Sequence, residues 1–177
     1  DRMAVDKSRQ IVSPDKKDTL SITVVGGPAQ AVQLDIVKNN DLLTREELSL
    51  YELKMEIPAV IGDRLQFAIR LIPKSAADYP LYKGMIYIDR ETYAFTRFEL
   101  EYDMSDRDKV TRCILISKPA GLIFTPTQVL IRYDYTLSEG ISRVSYVRTE
   151  MRFKCDWKKR LLLDKAIVRI IRKTDRN

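Results

Sequence analysis

The chain contains no histidine among its 177 residues. Histidine is the commonest general base and the commonest transition-metal ligand, so its absence excludes Ser-His-Asp and Cys-His catalysis within this chain. A structural zinc site with four nitrogen or sulfur ligands is also excluded, because only 2 cysteines are present. These absences favour a non-enzymatic protein without a cofactor or metal. An enzyme would have to rely on Asp, Glu, Lys or Tyr.

The sequence is also poor in the features of secreted scaffolds and membrane spans. Cys113 and Cys155 could form one disulfide or none, and their apolar surroundings favour a buried free thiol. No apolar run approaches the ~18 residues of a transmembrane helix, and the first residues do not begin a signal peptide. With 6 Gly, 7 Pro and 45% hydrophobic residues, residues 1–177 are expected to form a single β-rich domain.

Charge of one sign is in modest excess. The 31 Lys and Arg residues against 25 Asp and Glu residues give a net charge of +6. A basic balance is typical of proteins that bind nucleic acid or an anionic membrane. However, both signs alternate along most of the chain, and the excess lies within residues 154–176, where acidic residues interrupt it. We therefore expect solvated faces rather than a basic patch, and no nucleic-acid partner.

What the sequence does have is alternation of apolar and polar residues. Val129, Ile131, Tyr133 and Tyr135 alternate with polar neighbours, as in half-buried antiparallel strands. Short turn-like separators favour a meander. The pattern predicts a mainly β fold, a single curved antiparallel meander sheet that forms a half-open barrel with one or two short helices. Strands are predicted near 3–11, 19–25, 50–58, 64–72, 82–89, 93–102, 110–117, 126–137, 143–154 and 165–173.

Two segments carry helix signals. Residues 28–39 fit both a helical and a strand period, and Pro28 at the first turn favours the helix. Thr44 followed by Glu47 is typical of a capping box, which predicts a short helical turn. On the strands, alternation places Ile86 and Ile88 on one face. We expect them to pack against Phe98 and Leu100, which share a face on the next strand.

Several residue groups suggest chemistry, and each also has a structural interpretation. The glycines before Pro28 could bind an anion, but a plain turn is favoured. The aspartates 103, 106 and 108 could ligate calcium, but turn capping is favoured. Glu99 and Glu101 could act as an acid–base pair, but Arg97 on the same face favours a charged ladder. The 9 tyrosines could stack bases, but packing on the sheet is favoured.

Three residues are candidates for a ligand or partner surface: Met85, Tyr87 and Trp157. Met85 and Tyr87 are expected on the face opposite Ile86. For Trp157, alternation from Phe153 through Cys155 predicts a core position at the edge of the barrel. The alternative is an exposed anchor for a partner or a membrane, supported by the basic residues 158–160.

Four groups of residues, in order, carry a family resemblance. They are Gly26-Gly27-Pro28 with Leu34-Asp35-Ile36-Val37-Lys38-Asn39; Pro80-Leu81-Tyr82-Lys83-Gly84-Met85-Ile86-Tyr87-Ile88-Asp89; Lys118-Pro119 with Phe124-Thr125-Pro126; and Arg152-Phe153-Lys154-Cys155-Asp156-Trp157-Lys158. The chain resembles the C-terminal part of exported gram-negative proteins that carry a carboxypeptidase-regulatory-like module at their N-terminus. The pattern at 84–94 is also similar to lipoprotein-carrier (LolA/LolB-like) domains.

The resemblance implies a half-open antiparallel barrel with helices on its concave side, as a fragment of a longer exported protein. It implies a periplasmic or outer-membrane-associated location in a gram-negative bacterium. The expected function is non-enzymatic binding of an apolar ligand, such as a lipid or lipoprotein, or of a protein partner. The alternative is a structural spacer of a larger cell-surface protein. No catalytic residue follows from the resemblance.

Overall fold

The fold of this chain is mainly β. The computed structural model describes residues 19–23, 35–39, 42–74 and 77–157. In this part of the chain, a six-stranded antiparallel sheet is curved and open, and three short helices accompany it. The predicted fold class is therefore confirmed, with one helix more than expected. The strands predicted at 3–11 and 165–173 lie outside the described residues.

The elements follow one another along the chain with short connections. In chain order they are β1 (Ser21–Ile22), α1 (Ile36–Asn39), α2 (Arg45–Ser49), β2 (Tyr51–Ile61), β3 (Arg64–Pro73), β4 (Tyr82–Asp89), β5 (Phe95–Tyr102), α3 (Arg107–Ile114), β6 (Leu115–Ser117), β7 (Leu122–Ser138) and β8 (Ile141–Trp157).

The main sheet is a meander in the order β2-β3-β4-β5-β7-β8, as the short turns predict. Gly62 and Asp63 both have positive φ in the β2–β3 hairpin, and Glu139 and Gly140 do so between β7 and β8. Two successive positive φ angles characterise the type I′ turn, whose twist matches that of the flanking strands. Outside this sheet, β1 pairs with β6 in a separate two-stranded ribbon.

The prediction of a strand at 110–117 is wrong for most of its length, because residues up to Ile114 belong to α3. The carboxylate of Asp106 accepts hydrogen bonds from the backbone N–H groups of Asp108 and Lys109, which caps the helix. Val110 and Ile114 are both buried and lie four residues apart, on one helical face. Both residues also fall on even positions, so a strand would place them on one face as well. Alternation alone therefore predicts a strand here.

The two helices before β2 are shorter than α3. The helix predicted over 28–39 is described only at Ile36–Asn39, and residues 28–34 lie outside the described part. Asp35 is not helical, and its carboxylate caps α1 by accepting from the N–H groups of Val37 and Lys38 at 3.1 Å each. The turn predicted after Thr44 is confirmed, since the Thr44 hydroxyl accepts from the Glu47 N–H.

Two apolar clusters hold these elements together. The main core joins β3, β4, β5 and β7 to the segment around α1 and α2, and its buried residues include Leu42, Leu71, Ile86, Phe98 and Leu100. Ile86 pairs with Phe98 in the register that the alternation predicts, and Ile88 packs against this core while partly buried. The α3 core joins α3 to β7 and β8. Both cores therefore cover the same, inner face of the sheet.

Candidate functional site

A partly open cavity of about 300 Å³ lies on the inner face of the sheet. Its floor consists of Tyr82 from β4, Leu100 and Tyr102 from β5, and Ile131 and Tyr133 from β7. Tyr82 pairs with Tyr102, and Leu100 pairs with Ile131, so neighbouring strands bring these side chains together. Period-2 alternation thus concentrates three phenols and two aliphatic side chains at one place.

The walls come from segments that are distant in the sequence. The α1–α2 region supplies Asp35, Ile36, Leu42 and Glu47, and α3 supplies Cys113. The remaining wall residues are Tyr51, Tyr79 and Pro80. The cavity therefore lies between the two helical coverings of the sheet, where neither of them fills the space above the strands.

Hydrogen bonds fix several of the cavity phenols. The Tyr82 hydroxyl donates to the Tyr102 hydroxyl at 3.4 Å, and the Tyr82 backbone N–H donates to the Tyr51 hydroxyl at 3.1 Å. The Tyr79 hydroxyl donates to the Glu47 carboxylate at 2.5 Å. Tyr51 and Tyr102 act as acceptors in these bonds, so each keeps its own hydroxyl proton available as a donor.

The phenols of the cavity are held in their neutral form. Burial raises the pKa values of Tyr82, Tyr102 and Tyr51 above the ordinary value of tyrosine. Burial, together with the charge of Asp35, raises the pKa of Tyr133 to about 12. The hydrogen bond to Glu47 is the largest cause that raises the pKa of Tyr79 to about 12. At neutral pH these groups are therefore hydrogen-bonding phenols rather than phenolates.

The candidates Met85, Tyr87 and Trp157 lie away from this cavity. Met85 and Tyr87 are on the outer face of the sheet, paired with Glu99 and Arg97. Trp157 lies in β8, and β5 and β7 separate that strand from β4. The three residues therefore do not form one surface with the cavity.

The core position predicted for Trp157 is wrong, because the residue is 49% exposed. Phe153 is buried as predicted, and Cys155 packs against the α3 core while partly buried. Trp157 lies two residues beyond Cys155, at the end of β8. Alternation still places its side chain on the inner face, but the α3 core does not extend that far.

The outer face of the sheet carries the charged ladder that the sequence favours. Arg97 contacts the Asp134 carboxylate at 2.6 Å and Glu99 at 3.7 Å, and Arg132 contacts Asp134 at 2.7 Å. The Tyr87 hydroxyl donates to Glu99 at 3.3 Å. Because Glu99 is engaged by cations and a phenol, the ladder explains it without an acid–base role.

The aspartates of the β5–α3 connection act as caps, as the sequence favours. Asp103 accepts from the N–H and the hydroxyl of Ser105, and Asp106 caps α3. Within the described residues, no group of three or more acidic, cysteine or histidine side chains is arranged to hold a metal. The glycines before Pro28 and the basic residues from 158 onward lie outside the described part.

Both cysteines are free thiols. Cys113 is exposed and lines the cavity, whereas Cys155 is partly buried. Burial raises the pKa of the Cys155 thiol, and the charge of Asp156 adds to this effect. The expectation of buried free thiols is thus wrong for Cys113, because the apolar face of α3 is formed by Val110 and Ile114 instead.

The inner face continues beyond the cavity to the edge strand β2. There Leu53, Met55, Ile57 and Val60 are 48–87% exposed. These side chains are exposed, whereas the cavity has walls from helices on both sides. The cavity is therefore the better enclosed site for a small ligand.

Sequence reasoning missed the cavity as a site. Its signal in the sequence is the tyrosine content: Tyr82, Tyr102 and Tyr133 all fall on inward positions of predicted strands. The wall residues carry no such signal, since they come from loops and helices. Pairing of β4 with β5 and of β5 with β7 is what assembles the floor.

Comparison of the chain with family models, curated proteins and solved structures finds no significant match. Among the described helices, none has the length and apolarity that crossing a membrane requires.

Proposed function

We propose that this chain is a non-enzymatic binding domain that holds a small apolar ligand in the cavity between the curved sheet and its helices. The observation that carries the proposal is the partly enclosed space of about 300 Å³ over aliphatic and tyrosine side chains. Small-molecule sites range from ~300 to 1,000 Å³ and are mostly apolar with a few polar groups. A single alkyl chain of moderate length matches such a cavity.

The chemistry of the lining supports binding rather than reaction. Proton abstraction is most efficient when the pKa of the base lies near the working pH. The cavity phenols have pKa values well above neutrality. The Cys113 thiol is not paired with a histidine, since the chain has none.

The biological setting is part of the same proposal. The setting follows the resemblance of the sequence to lipoprotein-carrier (LolA/LolB-like) domains and to exported proteins with a carboxypeptidase-regulatory-like module. We infer a lipid or lipoprotein as the partner class, in the periplasm or at the outer membrane of a gram-negative bacterium. A protein partner or a structural spacer role is the competing outcome.

The test measures binding of linear alcohols from pentanol to octanol by calorimetry. Each added methylene group should improve the binding free energy by up to ~0.8 kcal/mol until the cavity is filled. Bound octanol should also slow alkylation of Cys113, which lines the cavity. Absence of binding across the series, with no protection of Cys113, would contradict the proposal and favour the spacer role.

Two matched variants of α3 locate the site. Cys113→Trp places a large side chain at an exposed position that lines the cavity, and it should weaken octanol binding at least about tenfold. Arg112→Trp introduces the same side chain one residue earlier, at an exposed position that does not line the cavity. Its octanol affinity should remain that of the unmodified protein. Equal effects of both substitutions would place the ligand elsewhere.

A further inference from the structure

The charges that line the cavity have one sign. Asp35 and Glu47 are the charged residues among the lining side chains that the structure describes, and no lysine or arginine is among them. Their charge reaches the phenols, because Glu47 contributes to the raised pKa of Tyr51 and Asp35 to that of Tyr133. The charged side chains of the described lining are therefore both negative, which disfavours an anionic ligand.

Tyr133 supplies an unused polar group in the same space. The residue is 2% exposed, and its hydroxyl makes no hydrogen bond to another described residue. Among the described residues, no fully buried side-chain oxygen lacks a partner, so this hydroxyl opens onto the cavity that Tyr133 lines. A ligand that occupies the cavity can therefore hydrogen-bond to it, since a phenol oxygen both accepts and donates.

The aromatic rings add a further attraction for positive charge. Tyr82 and Tyr102 stack with ring centroids 4.8 Å apart, and three more tyrosines line the cavity. A cation over the face of a tyrosine ring is attracted by the ring quadrupole, most strongly when water is excluded. Tyrosine faces beside carboxylates are thus suited to an ammonium group.

We propose that the cavity recognises a primary alkylammonium group attached to an apolar chain, with the ammonium between Asp35, Glu47 and the Tyr133 hydroxyl. The alkyl chain lies over Leu100 and Ile131. This inference rests on the proposed function and deepens it, because it assigns the charge of the ligand's head group. The same electrostatics disfavours a fatty-acid anion.

The test compares three ligands with the same chain: octylamine, octanol and octanoate. At neutral pH an aliphatic amine is protonated and a carboxylate is ionised. Octylammonium should bind at least about tenfold more tightly than octanol, and octanoate more weakly than octanol. Added salt should weaken binding of octylammonium while leaving octanol nearly unchanged, because salt screens partly exposed charges.

A double variant with two conservative substitutions tests whether the carboxylates cause the preference for octylammonium over octanol. The double variant Asp35→Asn/Glu47→Gln keeps hydrogen-bond acceptors for the α1 cap and for Tyr79. It should reduce the ratio of octylammonium to octanol affinity at least about fivefold, with octanol affinity maintained. Glu101→Gln removes one negative charge from the outer face of β5, opposite the cavity, and should leave the ratio unchanged.

The outcomes separate the two proposals. If none of the three ligands binds, the proposed function fails. If octanol binds but octylammonium does not exceed it, the cation inference is wrong and the binding function stands. Octanoate binding as tight as that of octylammonium overturns the inference in the same way. The ligand order and its salt dependence in the unmodified protein decide the matter even where the double variant does not fold.

Discussion

The Tyr82 hydroxyl donates a hydrogen bond to the Tyr102 hydroxyl across neighbouring strands, with the two oxygens 3.4 Å apart. The two rings stack at an interplanar angle of 24°. Both phenols lie on the cavity floor, and burial raises both pKa values. The pair therefore packs β4 against β5 and also places two hydroxyl groups on the cavity floor.

This pair predicts non-additive effects of hydroxyl removal. Tyr102→Phe should lower the free energy of unfolding by about 1 kcal/mol, because the Tyr82 donor loses its acceptor. The double variant Tyr82→Phe/Tyr102→Phe should cost no more than Tyr102→Phe alone, since no unpaired donor remains. Urea unfolding of the single and double variants provides the measurement. Strict additivity of the two single changes would show that the hydrogen bond contributes nothing.

The sheet is the part of this fold that the sequence determines most directly. Ile131, Tyr133 and Tyr135 alternate with polar residues, and all three are buried on the inner face. A one-residue shift in strand pairing would move these apolar side chains to the solvent face. The alternation therefore fixes the pairing register of the strand. The same logic predicted the burial of Ile86, Phe98 and Leu100, which the structure confirms.

The helices and the cavity depend on information that a local pattern does not carry. Val110 and Ile114 satisfy both a strand period and a helical period, and the Asp106 cap decides between them. The cavity unites Tyr51 and Tyr133, which are 82 positions apart in the numbering and meet only through tertiary packing. Site prediction therefore failed where packing between distant segments, rather than alternation, creates the geometry.

The two thiols are expected to react at different rates. Cys113 is exposed, whereas Cys155 is partly buried and has a raised pKa. Because the thiolate is the nucleophile, iodoacetamide at neutral pH should alkylate Cys113 several times faster. Mass spectrometry of Cys155→Ser and Cys113→Ser variants over time measures each thiol alone. Faster alkylation of Cys155 would contradict the arrangement of α3 and β8.

The buried carboxylate of Asp89 predicts an acid-sensitive turn between β4 and β5. Asp89 is 2% exposed, and it accepts from the Thr92 N–H at 2.8 Å and pairs with Arg64 at 2.8 Å. The backbone hydrogen bond from Thr92 is the largest cause that lowers the pKa of Asp89. A lowered folded-state pKa means that the stabilisation is present above the unfolded-state value, about 3.9.

That stabilisation should be lost as the pH falls from about 4 through the lowered folded-state pKa. Asp89→Asn removes the titrating group, so the stability difference between the unmodified protein and this variant should shrink over that range. Urea unfolding at several pH values measures it, and Glu91→Gln serves as a control at an exposed carboxylate of the same turn. A difference that is constant with pH would contradict the assignment.

Gly84 is expected to be the least replaceable glycine of the sheet. Its φ is +151°, and a Cβ there would overlap the carbonyl oxygen of Glu99 in the paired strand. Gly84→Ala should therefore cost more than the ~1–3 kcal/mol of a strained backbone position. Gly62→Ala is the matched control, because a Cβ at Gly62 meets nothing within 4 Å. Its cost should stay near 1 kcal/mol, from the positive φ alone. Equal unfolding free energies for the two variants would contradict the close approach of β4 and β5.

Trp157 gives a direct optical test of the end of β8. It is the single tryptophan of the chain, it pairs with Leu122, and it is 49% exposed. An indole in contact with water emits at longer wavelength and is accessible to acrylamide, so the folded protein should show red-shifted emission and strong quenching. Unfolding in urea should change the emission maximum only slightly, whereas a buried tryptophan would shift to longer wavelength. Weak quenching together with blue-shifted emission would contradict this exposure and would indicate the core position that alternation predicts.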